Sequence, residues 1–330
     1  MSVTRFWLLR SAVPAAVMAL ALGAMPQTAQ AQQYPAQDIH FICAFPPGSG
    51  ADVLVRYFAE KVRPLTGKNI VVENRSGAGG NIAMEYVGRA KGDGYTIFVH
   101  AGSAVAANMH LFKKPPFPDA GKAITVAATI NRQPFMMVVD PKSPYKTVAD
   151  VTAAMKPKGE KATYSSAAPT GTIMGELYKQ STGVRAVEVV YKTAPDSLND
   201  MASGATDFGF HDPVFSLAQQ REGRLRILGV STGQRLAASP DLPTMAEQGV
   251  PMDVTGWWAA MVPASTPKPI VDQINKWFVE VVSSPETKEF LAKFGGDALI
   301  ETPEQGQDRL VKDVVKWGEY IRLAKIEPQG

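Results

Sequence analysis

The segment 45–52 (FPPGSGAD) joins an apolar, strand-like run, residues 39–45, to a helical pattern that begins near Asp52. Two prolines stiffen the segment, and two glycines let a ligand approach the backbone closely. The N–H groups of the following helix start lie beside the positive end of the helix dipole, so the loop predicts a site for a carboxylate or phosphate. The same residues are also compatible with an ordinary tight turn in which Asp52 caps the helix.

Strand–loop–helix units of this kind recur up to about residue 100. Short apolar runs alternate with helical patterns, which is typical of consecutive βαβ units and a largely parallel sheet. A second glycine-rich loop, residues 74–80 (NRSGAGG), again lies between a strand and a helix. The pattern predicts strands at 39–45, 69–73 and 95–100, a helix at about 81–90, and a helix at 52–65 whose apolar positions are Val53, Val55, Phe58, Ala59 and Val62.

The same alternation starts again after residue 133 and predicts a second α/β unit. Two of its helices begin in loops of small residues or proline, at 165–171 and 191–195, so this unit also offers helix N-termini to an anion. The predicted strands are 135–139, 162–165, 187–190, 206–210, 225–230 and 254–262, and helices at about 268–283, 285–294 and 303–322 complete the chain.

Residues 1–31 predict a secretory signal peptide. Two arginines precede the apolar run 12–25, and residues 29–31 (AQA) form a small-x-small cleavage site. A membrane anchor is disfavoured, because Pro14 interrupts a run shorter than the ~20 residues that span a bilayer. We therefore expect cleavage after Ala31 and release into the periplasm.

Charge and cysteine content exclude several classes of protein. Removal of the signal peptide takes away two arginines and no acidic residue, so the formal net charge falls from +3 to +1. This small charge gives no electrostatic case for nucleic-acid binding. Cys43 is the only cysteine, which excludes an internal disulfide and a cysteine-based metal site.

The glycine-rich loops do not match nucleotide-binding motifs. The position three residues beyond Gly50 is Val53, so the G-x-G-x-x-G pattern is missing, and the loop lacks the Gly-Lys-Ser/Thr of a phosphate-binding loop. No pair of histidines has the close spacing of a zinc site. We therefore expect neither a cofactor nor a metal.

Residues 229–233 (GVSTG) match the G-x-S-x-G elbow of serine hydrolases and follow a predicted strand. A secreted hydrolase that uses Ser231 is therefore an alternative function. Two features weigh against it. Prolines soon after the serine allow only a short helix, and every histidine of the chain precedes the serine, whereas the triad order of these enzymes places histidine after it.

His211 and Asp212 follow the predicted strand 206–210, at the edge where α/β sheets place ligands. Both are candidate ligand contacts. The alternative for Asp212 is an N-cap role, because Pro213 suits the first position of a helix.

Six segments stand out in order along the chain: 45–52 (FPPGSGAD), 72–81 (VENRSGAGGN), 93–96 (DGYT), 190–192 (VYK), 243–249 (PTMAEQG) and 257–267, from Trp257 to Pro267. Together with the export signal, they resemble the Bug family, the periplasmic solute receptors of tripartite tricarboxylate transporters. The resemblance covers essentially the whole exported chain.

The resemblance implies an α/β fold of the type II periplasmic binding protein class. Two α/β domains, joined by two crossing segments, would close on a small carboxylate held by backbone amides and bridging water. The crossings are expected near 131–135 and 252–257. Domain 1 would then be discontinuous, with residues 32–132 and 253–330, and domain 2 would comprise residues 133–252.

By resemblance, the ligand would lie between two walls, and Tyr191 and Ser166 would be among the residues that line them. As alternatives to ligand contact, Tyr191 could be a core aromatic whose hydroxyl is satisfied locally, and Ser166 could be a helix cap. Trp257 and Trp258 fit hinge or core anchors better than ligand stackers. By position, the residues that match the family's first ligand loop are Pro47, Gly48, Ser49, Gly50 and Asp52, and those that match another wall of the cleft are Ala101, Gly102 and Ser103. Those that match the carboxylate-binding loop of the second domain are Ser166, Ala167 and Thr170, with Tyr191 and Asp212 lining the cleft. Phe45 borders the first loop and could contact the ligand, and His211 adds to the polar lining.

Three positions depart from the family pattern. Ser49 stands where a second consecutive glycine is usual, and it adds a hydroxyl. The pair 168–169 (AP) replaces a part that usually carries glycine, and Pro169 removes an amide donor. Thr193 replaces the glycine expected after Tyr191-Lys192. We expect altered contacts in the second domain rather than loss of binding.

The resemblance implies a monomeric, non-catalytic receptor that delivers an organic acid to an integral-membrane permease. A sensor that hands its ligand state to a signalling protein would use the same fold. Backbone amides recognise a carboxylate without defining the rest of the ligand. Dicarboxylates, tricarboxylates, acidic amino acids, aromatic acids and amides are all compatible with the sequence, and we take a C4 to C6 dicarboxylate as the default.

Overall fold

The computed structural model describes residues 34–191 and 193–330. The predicted signal peptide lies outside the described residues. None of the helices in the described part of the chain is long and apolar enough to cross a membrane.

The strands and helices alternate over most of the described chain. The strands are β1 (Ile39–Cys43), β2 (Ile70–Asn74), β3 (Thr96–Ala101), β4 (Ile124–Gln133), β5 (Met136–Val139), β6 (Thr163–Ser166), β7 (Val187–Val190), β8 (Phe208–His211), β9 (Arg226–Val230), β10 (Gly256–Pro263) and β11 (Asp297–Ala298). The helices are α1 (Gly50–Thr66), α2 (Asn81–Gly88), α3 (Gly102–Leu111), α4 (Ala120–Ala123), α5 (Val148–Lys158), α6 (Pro169–Thr182), α7 (Ala194–Ser203), α8 (Pro213–Arg221), α9 (Lys268–Ser283), α10 (Pro285–Lys293) and α11 (Pro303–Leu323).

The first sheet has the order β11-β4-β10-β3-β1-β2. The prediction of parallel strands is confirmed for β1, which pairs in parallel with both β2 and β3. Strands from later in the chain make the sheet mixed, since β10 runs antiparallel to β3 and β4, and β11 runs antiparallel to β4. The sheet is mixed because the chain returns to it from the second unit in the opposite direction.

The second sheet has the order β7-β6-β8-β5-β9. Strand β6 lies parallel to β7 and β8, whereas β5 runs antiparallel to β8 and β9. The carboxyl ends of β6, β7 and β8 therefore meet at one edge of the sheet. Helices α6, α7 and α8 begin at that edge.

The chain passes between the sheets twice. It leaves the first sheet at Gln133 and enters the second at Met136, and it returns from Val230 to Gly256. The fold is thus two α/β units joined by two crossing segments, in agreement with the predicted fold class.

Helices cover both faces of the first sheet. On one face, the ring of Phe278 in α9 stacks on Phe41 of β1 and on Phe58 of α1, with ring centroids 5.8 and 5.7 Å apart. Helix α1 buries four of its predicted apolar residues and also Leu54, whereas the predicted Val53 lies off this buried stripe and is 46% exposed. On the other face, α11 packs against α3 and β4.

Candidate ligand-binding cleft

The loop after β1 is held in place by Asp52, whose carboxylate is almost fully buried. Its Oδ2 accepts hydrogen bonds from the Gly48 amide at 2.9 Å and from Arg56 Nε at 2.9 Å. Its Oδ1 accepts one from Asn74 Nδ2 at 2.7 Å. Burial acts to raise the pKa of Asp52, but the hydrogen bonds from Arg56, Asn74 and Gly48 outweigh it and hold the pKa at about 2. Asp52 therefore supports the loop as a charged group.

This arrangement corrects two sequence expectations. The N-cap of α1 is Ser49, whose Oγ accepts a hydrogen bond from the Asp52 amide at 3.2 Å, so Asp52 is not the cap. Asp52 is also too buried to touch a ligand, and the amide of Gly48 points at Asp52 instead of the cleft. The hydroxyl that Ser49 adds to the family pattern thus serves the helix.

Two amides of the loop remain for a ligand. The Ser49 amide donates to the Pro46 carbonyl at 3.3 Å, and the Asp52 amide is capped. The amides of Gly50 and Ala51, the first two residues of α1, have no acceptor within residues 34–191 and 193–330. Both residues are accessible to solvent, so this helix start can bind an anion.

A second helix start, that of α3, lies beside this loop. Helix α3 has Ala101 at its N-cap, no capping side chain and no acidic residue in its first turn. The indole of Trp257 packs against Gly102, and Ser103 is buried as well. Of the three predicted residues here, only Ala101 keeps appreciable exposure.

Phe45 joins the loop to an aromatic cluster. Its ring lies 5.3 Å from that of His100 and 6.0 Å from that of Trp258, and His100 also stacks on Phe98 at 4.8 Å. His100 is fully buried, and neither ring nitrogen has a partner among the described residues. Burial lowers the pKa of His100 to about 3, so the ring is neutral.

In the second unit, the hydroxyl of Ser166 is fully buried and donates to Glu188 Oε1 at 2.6 Å. The hydroxyl of Thr172 donates to the same oxygen at 2.5 Å. A carboxylate of the protein thus takes up the side-chain donors of the loop that we expected to bind the ligand. No sequence motif pointed to Glu188, because it lies within strand β7.

The start of α6 still offers backbone donors. Its N-cap Ala168 makes no side-chain cap, and Pro169 at the first position has no N–H. The Thr170 amide has no acceptor in the described part of the chain, whereas the Gly171 amide bonds the Ala168 carbonyl at 2.9 Å. Ala167 and Thr170 are both partly exposed.

The structure assigns Asp212 the N-cap role that the sequence left as an alternative. Its Oδ1 accepts a hydrogen bond from the Phe215 amide at 3.0 Å. The side chain keeps access to solvent, yet protein atoms enclose it on most sides. This loss of hydration raises the pKa of the carboxyl, against the lowering effect of the capped amides.

His211 is buried and contacts two serines. Its Nε2 lies 3.1 Å from Ser197 Oγ and 3.4 Å from Ser165 Oγ. Both hydroxyls donate to backbone carbonyls, which assigns the ring proton to Nε2. Burial lowers the pKa of His211 to about 4 and keeps the ring neutral.

Tyr191 is partly exposed, and its hydroxyl donates to Asp200 Oδ2 at 2.6 Å. Asp200 lies in the second half of α7, away from the helix start. The locally satisfied hydroxyl that the sequence allowed is therefore what the structure has.

The two walls approach each other at Gly50. A Cβ built on Gly50 would lie 3.8 Å from Cγ1 of Val214, in the first turn of α8. Near it, a Cβ built on Gly295 would lie 2.7 Å from Pro213 Cβ. The start of α1 thus lies next to the start of α8, where the two units meet.

Ser231 lies where the two crossing segments meet, at the hinge expected for this fold, and bonds to both segments. Its Oγ accepts a hydrogen bond from the Phe135 amide at 2.8 Å and donates to the Val254 carbonyl at 2.5 Å. The side chain is fully buried. Ser231 is therefore not placed as an exposed nucleophile, and the hydrolase alternative loses its central residue.

A cavity of about 1050 Å³ lies beside the hinge, next to β11 and α11. None of the predicted site residues lines it. Its arginines are already paired, Arg132 with Asp297 at 3.1 Å and Arg309 with Glu301. We therefore place the candidate site at the facing helix starts. No group of three metal-ligating side chains occurs in the described residues.

The fold has two α/β units that are joined by two crossing segments, and helices of both units begin where the units meet. This is the architecture of a bilobal binding protein, and the match of a family model identifies the family within that class. The model of the tripartite tricarboxylate transporter family receptor matches residues 54–325, so this chain belongs to that family. The resemblance to the Bug family is confirmed, and the family is one of solute-binding receptors.

Similar proteins and solved structures agree with this family assignment. Protein BugT of Bordetella pertussis is 29% identical over 296 residues, which cover 88% of this chain and 90% of BugT. The structure of Rpa4515 from R. palustris with adipate has a TM-score of 0.79 and 28% identity, covering 90% of this chain and all of that one. The periplasmic binding protein BugD has a TM-score of 0.75 and 26% identity, with 90% and 100% coverage.

Proposed function

We propose that this protein captures a small organic acid in the periplasm and delivers it to a membrane permease of the tripartite tricarboxylate type. The observation that carries the proposal is the start of α1. There, two adjacent amides, of Gly50 and Ala51, are without acceptors in the described residues, and Gly50 lies next to Val214 of the second unit. One relative, Rpa4515, has a structure with adipate, which gives a precedent for a carboxylate ligand.

In this proposal, the carboxylate binds the amides of Gly50 and Ala51, beside the uncapped start of α3. The Thr170 amide of α6 contributes from the opposite wall. Residues 32–132 and 253–330 form one domain and 133–252 the other, and the domains close on the ligand by bending at the crossings near Ser231. Neutral amides suit a receptor that must release its ligand, because they hold an anion without a fixed countercharge.

The protein would act as a monomer, without catalysis, after cleavage behind Ala31. Three residues singled out in the sequence would have structural roles instead of contacting the ligand. Asp52 would hold the first loop in place, and Trp257 and Ser231 would support the hinge region.

Thermal unfolding with a panel of acids tests this function. The exported protein is heated with C4 to C6 dicarboxylates, citrate, acidic amino acids, aromatic acids and ω-amino acids. A ligand at ~100 times its dissociation constant adds about 2.7 kcal/mol to the free energy of unfolding and raises the midpoint by several degrees. No rise with any acid, for protein shown by mass spectrometry to be ligand-free, would contradict the proposal.

A further inference from the structure

The second unit places a carboxylate at the first turn of each helix that starts on its inner edge. At α6, Glu188 accepts hydrogen bonds from Ser166 and Thr172 at 2.6 and 2.5 Å. At α7, Asp196 accepts one from Thr193 Oγ1 at 2.7 Å. The third helix, α8, has its own carboxylate at the N-cap, described above.

The partners of these carboxylates are hydroxyls and amides that would otherwise serve a ligand anion. The hydroxyl of Ser166 already donates its hydrogen bond to Glu188, and the Phe215 amide already donates to Asp212. A second carboxylate placed at this wall would meet few free donors and like charge at close range. Such a juxtaposition of like charges is strongly unfavourable when water is excluded.

His211 adds an acceptor of a different kind. It is 5% exposed, and its proton lies on Nε2, which faces Ser197 and Ser165. Nδ1 is then a lone-pair acceptor, and it has no partner within the described ranges. His211 ends β8 and Asp212 follows it, so both residues lie at the edge of the second sheet where α8 begins.

The first unit has the opposite character. The acidic residue in the first turn of α1, Asp52, is buried and paired with Arg56 at 2.9 Å. Helix α3 begins with neither an acidic residue nor a capping side chain. The donors of Gly50 and Ala51 remain free among the described residues, so this wall favours the negative end of a ligand.

We infer that the ligand is a monocarboxylate whose far end donates hydrogen bonds, as an ammonium or primary amide does, and that the protein discriminates against dicarboxylates. The carboxylate binds at Gly50 and Ala51, and the donor group meets the wall formed by Glu188, His211 and Asp212. This inference rests on the proposed function and replaces the dicarboxylate that the sequence suggested by default.

Titration calorimetry on the exported protein, expressed as the full chain, tests the inference with matched ligands. Each set keeps the carbon number at four, five or six and changes only the far group, for example adipate, its monoamide and 6-aminohexanoate. We expect the amide or amine of at least one set to bind at least about tenfold tighter than its dicarboxylate. Equal or tighter binding of the dicarboxylates would overturn the inference and leave the receptor function intact. If no member binds and the thermal panel is also flat, the receptor proposal fails, and the inference with it.

Two variants locate the discrimination. Glu188→Gln and Asp212→Asn each remove a charge and keep an oxygen that can accept the existing hydrogen bonds. Each should lower the preference for the amine over the dicarboxylate by at least about threefold. Glu176→Gln is the matched control, because Glu176 lies on α6 but pairs with Lys179 and Tyr164. An unchanged preference in both Glu188→Gln and Asp212→Asn would overturn the inference; Asp212→Asn decides alone if Glu188→Gln does not fold.

Discussion

The indole of Trp257 lies so close to Gly102 that a Cβ on residue 102 would be 2.2 Å from Cη2 of the ring. Trp257 is fixed in this position by a hydrogen bond from its Nε1 to Asp313 Oδ2 at 2.6 Å. The tryptophan that follows the return crossing therefore sets where α3 begins. Only glycine leaves room for this contact.

We expect Gly102→Ala to cost about 1–3 kcal/mol of stability, because the ring cannot move away without losing its bond to Asp313. Urea unfolding measures the effect. Gly50→Ala is the control, since its Cβ would lie 3.8 Å from its nearest neighbour, a methyl group of Val214. Equal stability of the two variants would contradict the proposed contact.

Ser231→Ala should destabilise the hinge, because it leaves the Phe135 amide and the Val254 carbonyl buried without partners. We expect a loss of about 1–3 kcal/mol in the free energy of unfolding. Ser203→Ala, which truncates an exposed serine on α7, should stay within about 0.5 kcal/mol. Unchanged stability of Ser231→Ala, together with loss of nitrophenyl-ester hydrolysis, would instead favour the hydrolase alternative.

His100→Phe should stabilise the protein at neutral pH, because it replaces two unpartnered buried nitrogens in an aromatic cluster. It should also reduce acid sensitivity. The pKa of His100 is about 3 in the folded protein and ~6.5 when unfolded, so the unfolded state binds more protons between these values. The resulting loss of stability is absent above pH ~6.5 and grows as the pH falls toward 3.

The measurement is the free energy of unfolding from pH 6.5 to 4.5, a window above the titration of Asp52. The wild type should lose up to about 1.4 kcal/mol more per pH unit than His100→Phe. The buried His211 remains in both proteins, so some acid sensitivity persists. His110→Phe is the control, because it breaks a bond between Nε2 and the Val314 carbonyl and should lower stability. Parallel pH profiles for the wild type and His100→Phe would contradict the prediction.

The sequence predicts elements well where apolar periodicity and local signals agree. The predicted bounds of α9 and β7 coincide with the structure, since Pro269 marks the start of α9 and three of the four residues of β7 are valine. Strand β4 (ITVAATINRQ) was not predicted, although it is the longest strand in the described residues. Both of its faces are largely buried, so it lacks the alternation that marks a strand.

The sequence predicted which loops form the candidate site. It did not predict which amides and hydroxyls of those loops are free to bind a ligand. Glycines and prolines identify where a backbone can bind an anion, as at 45–52. They do not reveal which amides the protein uses itself. Asp52 takes the Gly48 amide, and Glu188 takes the Ser166 hydroxyl, because the fold brings together residues that are distant in sequence or lie inside a strand.

Removal of the backbone N–H at position 50 tests most directly whether the start of α1 binds the carboxylate of the ligand. Gly50 is the first residue of α1, and Ser49 before it is already extended (φ −69°, ψ 159°), so Gly50→Pro suits the helix start and deletes the donor. Gly50→Ala keeps the amide and is the matched control.

The measurement is titration calorimetry of both variants with the tightest-binding acid of the matched sets. If the amide holds the ligand carboxylate, Gly50→Pro should unfold at a midpoint no lower than that of Gly50→Ala but bind at least about tenfold more weakly, as expected for the loss of a charged hydrogen bond. Equal affinity in two folded variants would show that the start of α1 does not bind the carboxylate.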